Sequence, residues 1–208
     1  MKDSKNVDVM RRQLMHAMLT LPALTLIGCG SSSIASSALP SSPTSLDPTP
    51  ACDDGDDDPT PAQTEGPYFK SSSPQRSSLL ESGLSGTLLT ITGRVLSTSC
   101  QPIAAAKLDF WQADDSGNYD NTGFRLRGHQ FTDAEGRYTL QTIVPGLYPG
   151  RTRHIHVKAQ APTQGVLTTQ LYLPNEPRNA SDGIFSSELL MTVSEVSGGR
   201  AATFDFVL

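Results

Sequence analysis

Residues 145–158 read P-G-L-Y-P-G-R-T-R-H-I-H-V-K. Pro145-Gly146 and Pro149-Gly150 are turn dipeptides, and Tyr148 stands between them. After Arg153 the chain reads as a strand. Side chains alternate faces along a strand, so His154 and His156 point one way and Ile155 and Val157 the other. Two imidazoles on one face, beside a phenol delivered by the preceding turn, make three convergent nitrogen and oxygen donors. The chain has four histidines, and two of them are here. Taken alone, the pair also fits a half-exposed sheet surface, and Tyr148 fits a sheet aromatic. The flanking sequence has to decide.

Outward from this stretch, the same texture repeats. Thr87 to Leu96, Ala106 to Gln112, Arg137 to Ile143, Leu167 to Leu173, Leu189 to Val193 and Ala202 to Val207 read as short strands. Turn clusters such as Asp114-Asp115-Ser116-Gly117-Asn118 and Asp133-Ala134-Glu135-Gly136 separate them. In the second strand Leu108 and Phe110 share one face, with Lys107, Asp109 and Trp111 on the other. Short strands at regular spacing predict an all-β fold, an antiparallel β-sandwich with long loops and little helix. A single helical turn is expected near Ile184 to Glu188.

The front of the chain differs. Lys2, Lys5, Arg11 and Arg12 precede an apolar run from Leu14 to Ile27 that ends Leu26-Ile27-Gly28-Cys29. A basic start, a short apolar run and small residues at its end predict a secretory signal over residues 1–28. The L-I-G-C ending resembles a bacterial lipobox, which implies cleavage before Cys29 and lipidation of its sulfur. Arg11-Arg12 resembles a loose twin-arginine signal, so Sec and Tat export both stay open. Residues 29–60 are rich in Ser, Pro and Asp and poor in large apolar groups, which predicts a disordered tether. The folded domain is expected over 61–208. Together these features predict an exported, membrane-anchored lipoprotein of a bacterial envelope, periplasmic or at the cell surface. With Cys29 lipidated, Cys52 and Cys100 remain, and export favours their pairing as a disulfide.

The formal charge is −5. The aspartates of the tether supply most of it and leave the domain close to neutral. That excludes the basic face that nucleic-acid binding needs.

Four residues in order, Tyr119, Tyr148, His154 and His156, are the candidate ligands. The motifs that carry them are W-Q-A-D-D-S-G-N-Y-D, P-G-L-Y-P-G-R, R-H-I-H-V-K and T-Q-L-Y. In that order, from about Thr64 to Leu173, the sequence resembles the intradiol ring-cleavage dioxygenases, among them the protocatechuate 3,4- and catechol 1,2-dioxygenases. The resemblance implies a mononuclear non-haem Fe(III) held by Tyr119, Tyr148, His154 and His156. It implies a substrate of the catechol type, a small aromatic diol, cleaved with O2 between its two hydroxylated carbons to a cis,cis-muconate-type product. It also implies that the diol displaces Tyr148 from the iron, that Arg151 is the catalytic arginine, and that Gln170 supports Arg151 or the substrate. Tyr68, in T-E-G-P-Y, would line the pocket mouth. The residue types suit the chemistry. A free phenol loses its proton near pH ~10, and a ferric ion beside the oxygen reverses that preference. Anionic phenolates in turn favour Fe(III) over the Fe(II) of carboxylate-containing triads.

Arg153 is the local competitor of Arg151. His129 is the alternative imidazole, read here as a strand-edge histidine. Trp111 is read as core or sheet surface. Two other functions fit parts of the sequence. One is a lipid-anchored, non-catalytic β-sandwich binding module; the other is a zinc or copper site on the two histidines alone. Only the full set of two phenols and two imidazoles separates the dioxygenase from them.

Overall fold

The computed structural model describes residues 58–208. The expectations for the leader, Cys29, most of the tether and Cys52 lie outside the described residues. Cys100 is disulfide-bonded.

Among the described residues, nine strands form two sheets. They are β1 (Leu88–Leu96), β2 (Lys107–Trp111), β3 (Arg127–Phe131), β4 (Arg137–Ile143), β5 (His154–Gln160), β6 (Leu167–Tyr172), β7 (Thr192–Val196), β8 (Gly199–Thr203) and β9 (Phe206–Val207). One sheet runs β4-β1-β8-β7, with β9 also on β1; the other runs β3-β2-β5-β6. The all-β sandwich is as the alternation predicts. Leu89, Ile91 and Leu140 of the first sheet and Leu108, Phe110, Ile155 and Val157 of the second are fully or almost fully buried in one cluster. Period-two alternation places each of them on the inner face.

Three features depart from the sequence reading. β8 and β9 pair in parallel with β1. Parallel neighbours need a long crossover, and here nearly the whole domain separates the partners. β3 is an additional strand, pairing antiparallel with β2; its R-G-H-Q-F sequence is polar and holds a glycine, so it lacks an alternation signal. The strand expected at Leu189 to Val193 begins later, at Thr192, because Leu189 belongs to a short 3-10 turn, Ser187–Leu189. A second such turn spans Pro177–Ala180.

The outer face of the β3-β2-β5-β6 sheet positions the site. Register puts Trp111 opposite His156, His156 opposite Gln170, and His154 opposite Tyr172. All five therefore share the face turned away from the core. That face is polar yet buried, because residues 60–76 lie across it as a strap. The strap crosses all four strands. Gln63 N–H donates to the Thr168 carbonyl on β6 at 2.8 Å. The Lys158 ammonium of β5 pairs with Glu65 and lies 4.7 Å above the Phe69 ring. Phe69 packs edge-on against Trp111 of β2 at 4.9 Å. Ser73 Oγ donates to Asp109 on β2 at 2.8 Å, and Arg76 N–H donates to the His129 carbonyl on β3 at 2.8 Å.

Candidate active site

Two loops bring the phenols to this face. The loop after β2 carries Tyr119 and the loop after β4 carries Tyr148. Their backbones interlock. A Cβ on Gly146 would lie 2.3 Å from the Gly117 nitrogen, and one on Gly117 would lie 2.3 Å from the Leu147 carbonyl oxygen. Only glycine permits that approach. Gly146 N–H also donates to the Asp114 carbonyl at 2.6 Å. The P-G and S-G turns of the sequence are thus two halves of one joint.

The four candidate ligands come together. The Tyr119 hydroxyl lies 3.2 Å from His154 Nε2. The two imidazole centres are 4.8 Å apart. The Tyr119 ring lies 6.1 Å from that of His156 and 5.9 Å from that of Tyr148. Tyr68, from the strap, stacks on Tyr119 at 4.4 Å, and its hydroxyl is 2.9 Å from the Tyr148 hydroxyl.

The imidazoles are set up as neutral donors. His154 Nδ1 donates to the Thr152 carbonyl at 2.7 Å, which leaves its Nε2 lone pair facing Tyr119. Burial pushes the His154 pKa down to about 4. Burial, then the neighbouring His154, hold His156 well below the usual histidine range. The His156 Nδ1 is buried without a hydrogen-bond partner. Burial raises the Tyr119 hydroxyl above the ordinary tyrosine range, with the Arg151 and Arg127 guanidiniums opposing it.

Arg151 is held beside them. Its Nη2 donates to Gln170 Oε1 at 2.6 Å, and its Nε pairs with Asp182 at 2.8 Å. Gln170 Nε2 in turn donates to the Thr64 carbonyl of the strap at 2.8 Å. Arg153 points elsewhere, to Glu176 at 3.2 Å and to the Pro145 carbonyl. His129 sits half-exposed on edge strand β3, with Nδ1 2.8 Å from the Ser73 carbonyl; it does not join the cluster. A cavity of about 290 Å³, lined by Gly150, Arg151, Arg178 and Ser181, opens beside the arginine.

The sequence profile of the dioxygenase family (Dioxygenase_C) matches residues 64–208. The chain belongs to the intradiol dioxygenase family. It is similar to the solved dioxygenase domain of a dioxygenase carbohydrate-binding protein fusion from Streptomyces sp. SirexAA-E. There the identity is 62% and the TM-score 0.71, over 73% of this chain and 98% of that one. The protocatechuate 3,4-dioxygenase beta chain of Burkholderia cepacia is 36% identical over 118 residues, covering 48% of this chain and 50% of that protein. The hydroxyquinol 1,2-dioxygenase of Rhizobium sp. is 32% identical over 124 residues, covering 48% and 42%. The chain thus spans about half the length of the curated relatives it matches.

Two residues of this site, Arg127 and Asp182, carry no signal in the sequence reading, and the part played by a third, Trp111 of the W-Q-A-D motif, is not visible there. Trp111, buried on the sheet face as read, also lies flat on His156, with ring centres 4.8 Å apart and planes 6° apart. Arg127, buried to 1% exposure, donates to the carbonyls of Asp120 and Tyr68. It ties the Tyr119 loop to the strap. Asp182 receives Arg151. Pairing register would find Trp111, but register is a property of the folded sheet.

Proposed function

We propose that this domain is a mononuclear, non-haem Fe(III)-dependent intradiol dioxygenase. It cleaves a catechol-type ring between its two hydroxylated carbons with O2, giving a cis,cis-muconate-type product. The observation that carries the reading is the convergence of the Tyr119 phenol on His154 Nε2 at 3.2 Å, with His156 and Tyr148 completing the set.

The residues fit the ion. Both imidazoles favour the neutral, ligating form. A cation of high charge beside the Tyr119 oxygen would offset the burial that holds its proton on. Tyr119, Tyr148, His154 and His156 would hold it. Bound there, iron(III) supplies Lewis acidity and a template for the diol and O2. The protein does the rest. The Tyr148 oxygen, half-exposed and paired with Tyr68, would ligate as the phenolate and, in that form, take one proton from the incoming diol to become the neutral hydroxyl. The Arg151 guanidinium, fixed by Gln170 and Asp182, stabilises negative charge that develops on the ring. The strap keeps bulk water from the buried face.

The amino-terminal sequence supports export and anchoring through Cys29 as part of the same proposal. Retention of the protein in the membrane fraction, and its release by Cys29→Ser, would test that part.

The test of the activity is direct. Purified protein should contain about one iron per chain and show a visible phenolate-to-iron absorption band that shifts when catechol is added. It should consume O2 with at least one member of a panel of catechols. A protein that remains colourless and inactive after iron reconstitution overturns the proposal.

A further inference from the structure

Arg151 lies in a loop, two positions beyond Pro149 and outside any strand. Its backbone therefore does not fix its guanidinium, and something else must. Asp182, whose side chain is 2% exposed, lies within reach of it. Its Oδ2 accepts from Arg151 Nε at 2.8 Å and from the Thr152 backbone N–H at 2.9 Å. Its Oδ1 accepts from Arg151 Nε at 3.1 Å and from the Ile184 N–H at 3.2 Å. The carbonyl of the same Thr152 accepts the Nδ1 proton of His154 at 2.7 Å.

We infer that Asp182 is a positioning residue that couples the orientation of the Arg151 guanidinium to the ring of His154. The inference rests on the proposed function and deepens it. One carboxylate holds the side chain of residue 151 and the main chain of residue 152, and the latter holds the imidazole. With Nε committed to Asp182, the guanidinium plane is set, and Nη2 falls to Gln170 at 2.6 Å and the Tyr172 hydroxyl at 3.3 Å. The carboxylate is itself anchored. The Tyr172 hydroxyl donates to the Ile184 carbonyl at 3.1 Å. Asn179 Nδ2 donates to the Leu173 carbonyl at 2.9 Å, and Asn179 Oδ1 accepts from Thr152 Oγ1 at 2.7 Å. The loop after β6 is thereby a rigid support. Such supports set the geometry of groups that touch substrate or metal, and their loss typically costs about 10–100-fold.

Asp182→Asn tests it, because the amide keeps the shape and one acceptor oxygen while losing the charge. In the iron-loaded enzyme, kcat per bound iron should fall about 10–100-fold with KM changed less than about threefold. In an Arg151→Ala background the same substitution should cost clearly less than in wild type, because only the hold on Thr152 and His154 is left to lose. An unchanged kcat per iron overturns the inference, as does a fall that is fully additive with Arg151→Ala. A readout that needs no turnover separates this from the parent proposal. In the full-length, metal-free protein, the Arg151 Nε–H proton should exchange slowly by NMR, and His154 should carry its proton on Nδ1. Asp182→Asn should speed the first and mix the tautomers of the second. If the wild-type enzyme cleaves no catechol, the parent proposal falls. If both NMR signals survive the substitution, the coupling falls, whatever the enzyme does.

Discussion

The indole of Trp111 lies parallel to the imidazole of His156, 4.8 Å between centres and 6° between planes. It fixes a ring whose own Nδ1 has no partner. Trp111→Ala is expected to destabilise the fold by about 3–5 kcal/mol, as large-to-small core changes do. Trp111→Phe keeps a flat neighbour and should cost less in stability and in iron retention. Denaturant unfolding together with iron content checks both. Equal iron occupancy in wild type and the alanine variant would show that the stack does not steady His156.

Gly66 sits at φ +67°, and a Cβ there would lie 3.4 Å from His156 Cε1 and 3.8 Å from Nε2. Gly66→Ala should lose about 1–2 kcal/mol from the left-handed backbone alone. It should also set a methyl in van der Waals contact with the Cε1–Nε2 edge of His156, where the proposed ion would bind, so iron content should fall further than the melting temperature accounts for. Elemental analysis beside a thermal melt separates the two effects.

Arg127 donates from Nε and Nη2 to the Asp120 carbonyl, at 3.1 and 2.9 Å, and from Nη1 to the Tyr68 carbonyl. Lysine keeps the charge but not the fork. Arg127→Lys should leave at least one part-buried carbonyl unpaired and cost about 1 kcal/mol. Amide exchange should rise at residues 64–70 and 119–122 ahead of the rest of the domain. Uniform exchange across the domain would argue that Arg127 does not join the strap to the Tyr119 loop.

Acid should weaken the metal-free protein. Burial lowers His154 from 6.5 to about 4 and pushes His156 down as well. Below about pH 6.5 the unfolded chain binds protons that the folded chain refuses. The contribution is therefore fully present above pH 6.5 and is lost as pH falls toward about 4. For His154 it is on the order of 3 kcal/mol over that window. Urea midpoints at pH 7.5 and 5 measure it, and coincident midpoints would contradict it.

The legible parts of the sequence are those that repeat locally. β4 has the predicted bounds, Arg137–Ile143, because its alternation is unbroken and the Asp133 turn precedes it. His154 and His156 share a face for the same reason. β3 was hidden by its polar sequence, and its pairing with β2 follows from contacts that no local window holds. The parallel pairing of β8 with β1 is likewise a long-range outcome. In the site, the phenols, imidazoles, Arg151 and Gln170 stand in recognisable motifs. Asp182 follows a short 3-10 turn with no periodicity, and Arg127 acts on backbone carbonyls, which leave no trace in the sequence. Both become visible only once the loops are closed.

The Gly117–Gly146 joint restricts how Tyr148 can leave its place. The two loop backbones approach too closely for any added carbon, and Gly146 N–H is bonded to the Asp114 carbonyl, so the chain is pinned two residues before Tyr148. Rotation about the side chain's own bonds, between staggered wells, is a motion of the phenol that leaves this pinned backbone in place. In the proposed reaction, Tyr148 would then make way for the diol by turning its ring rather than by moving its loop.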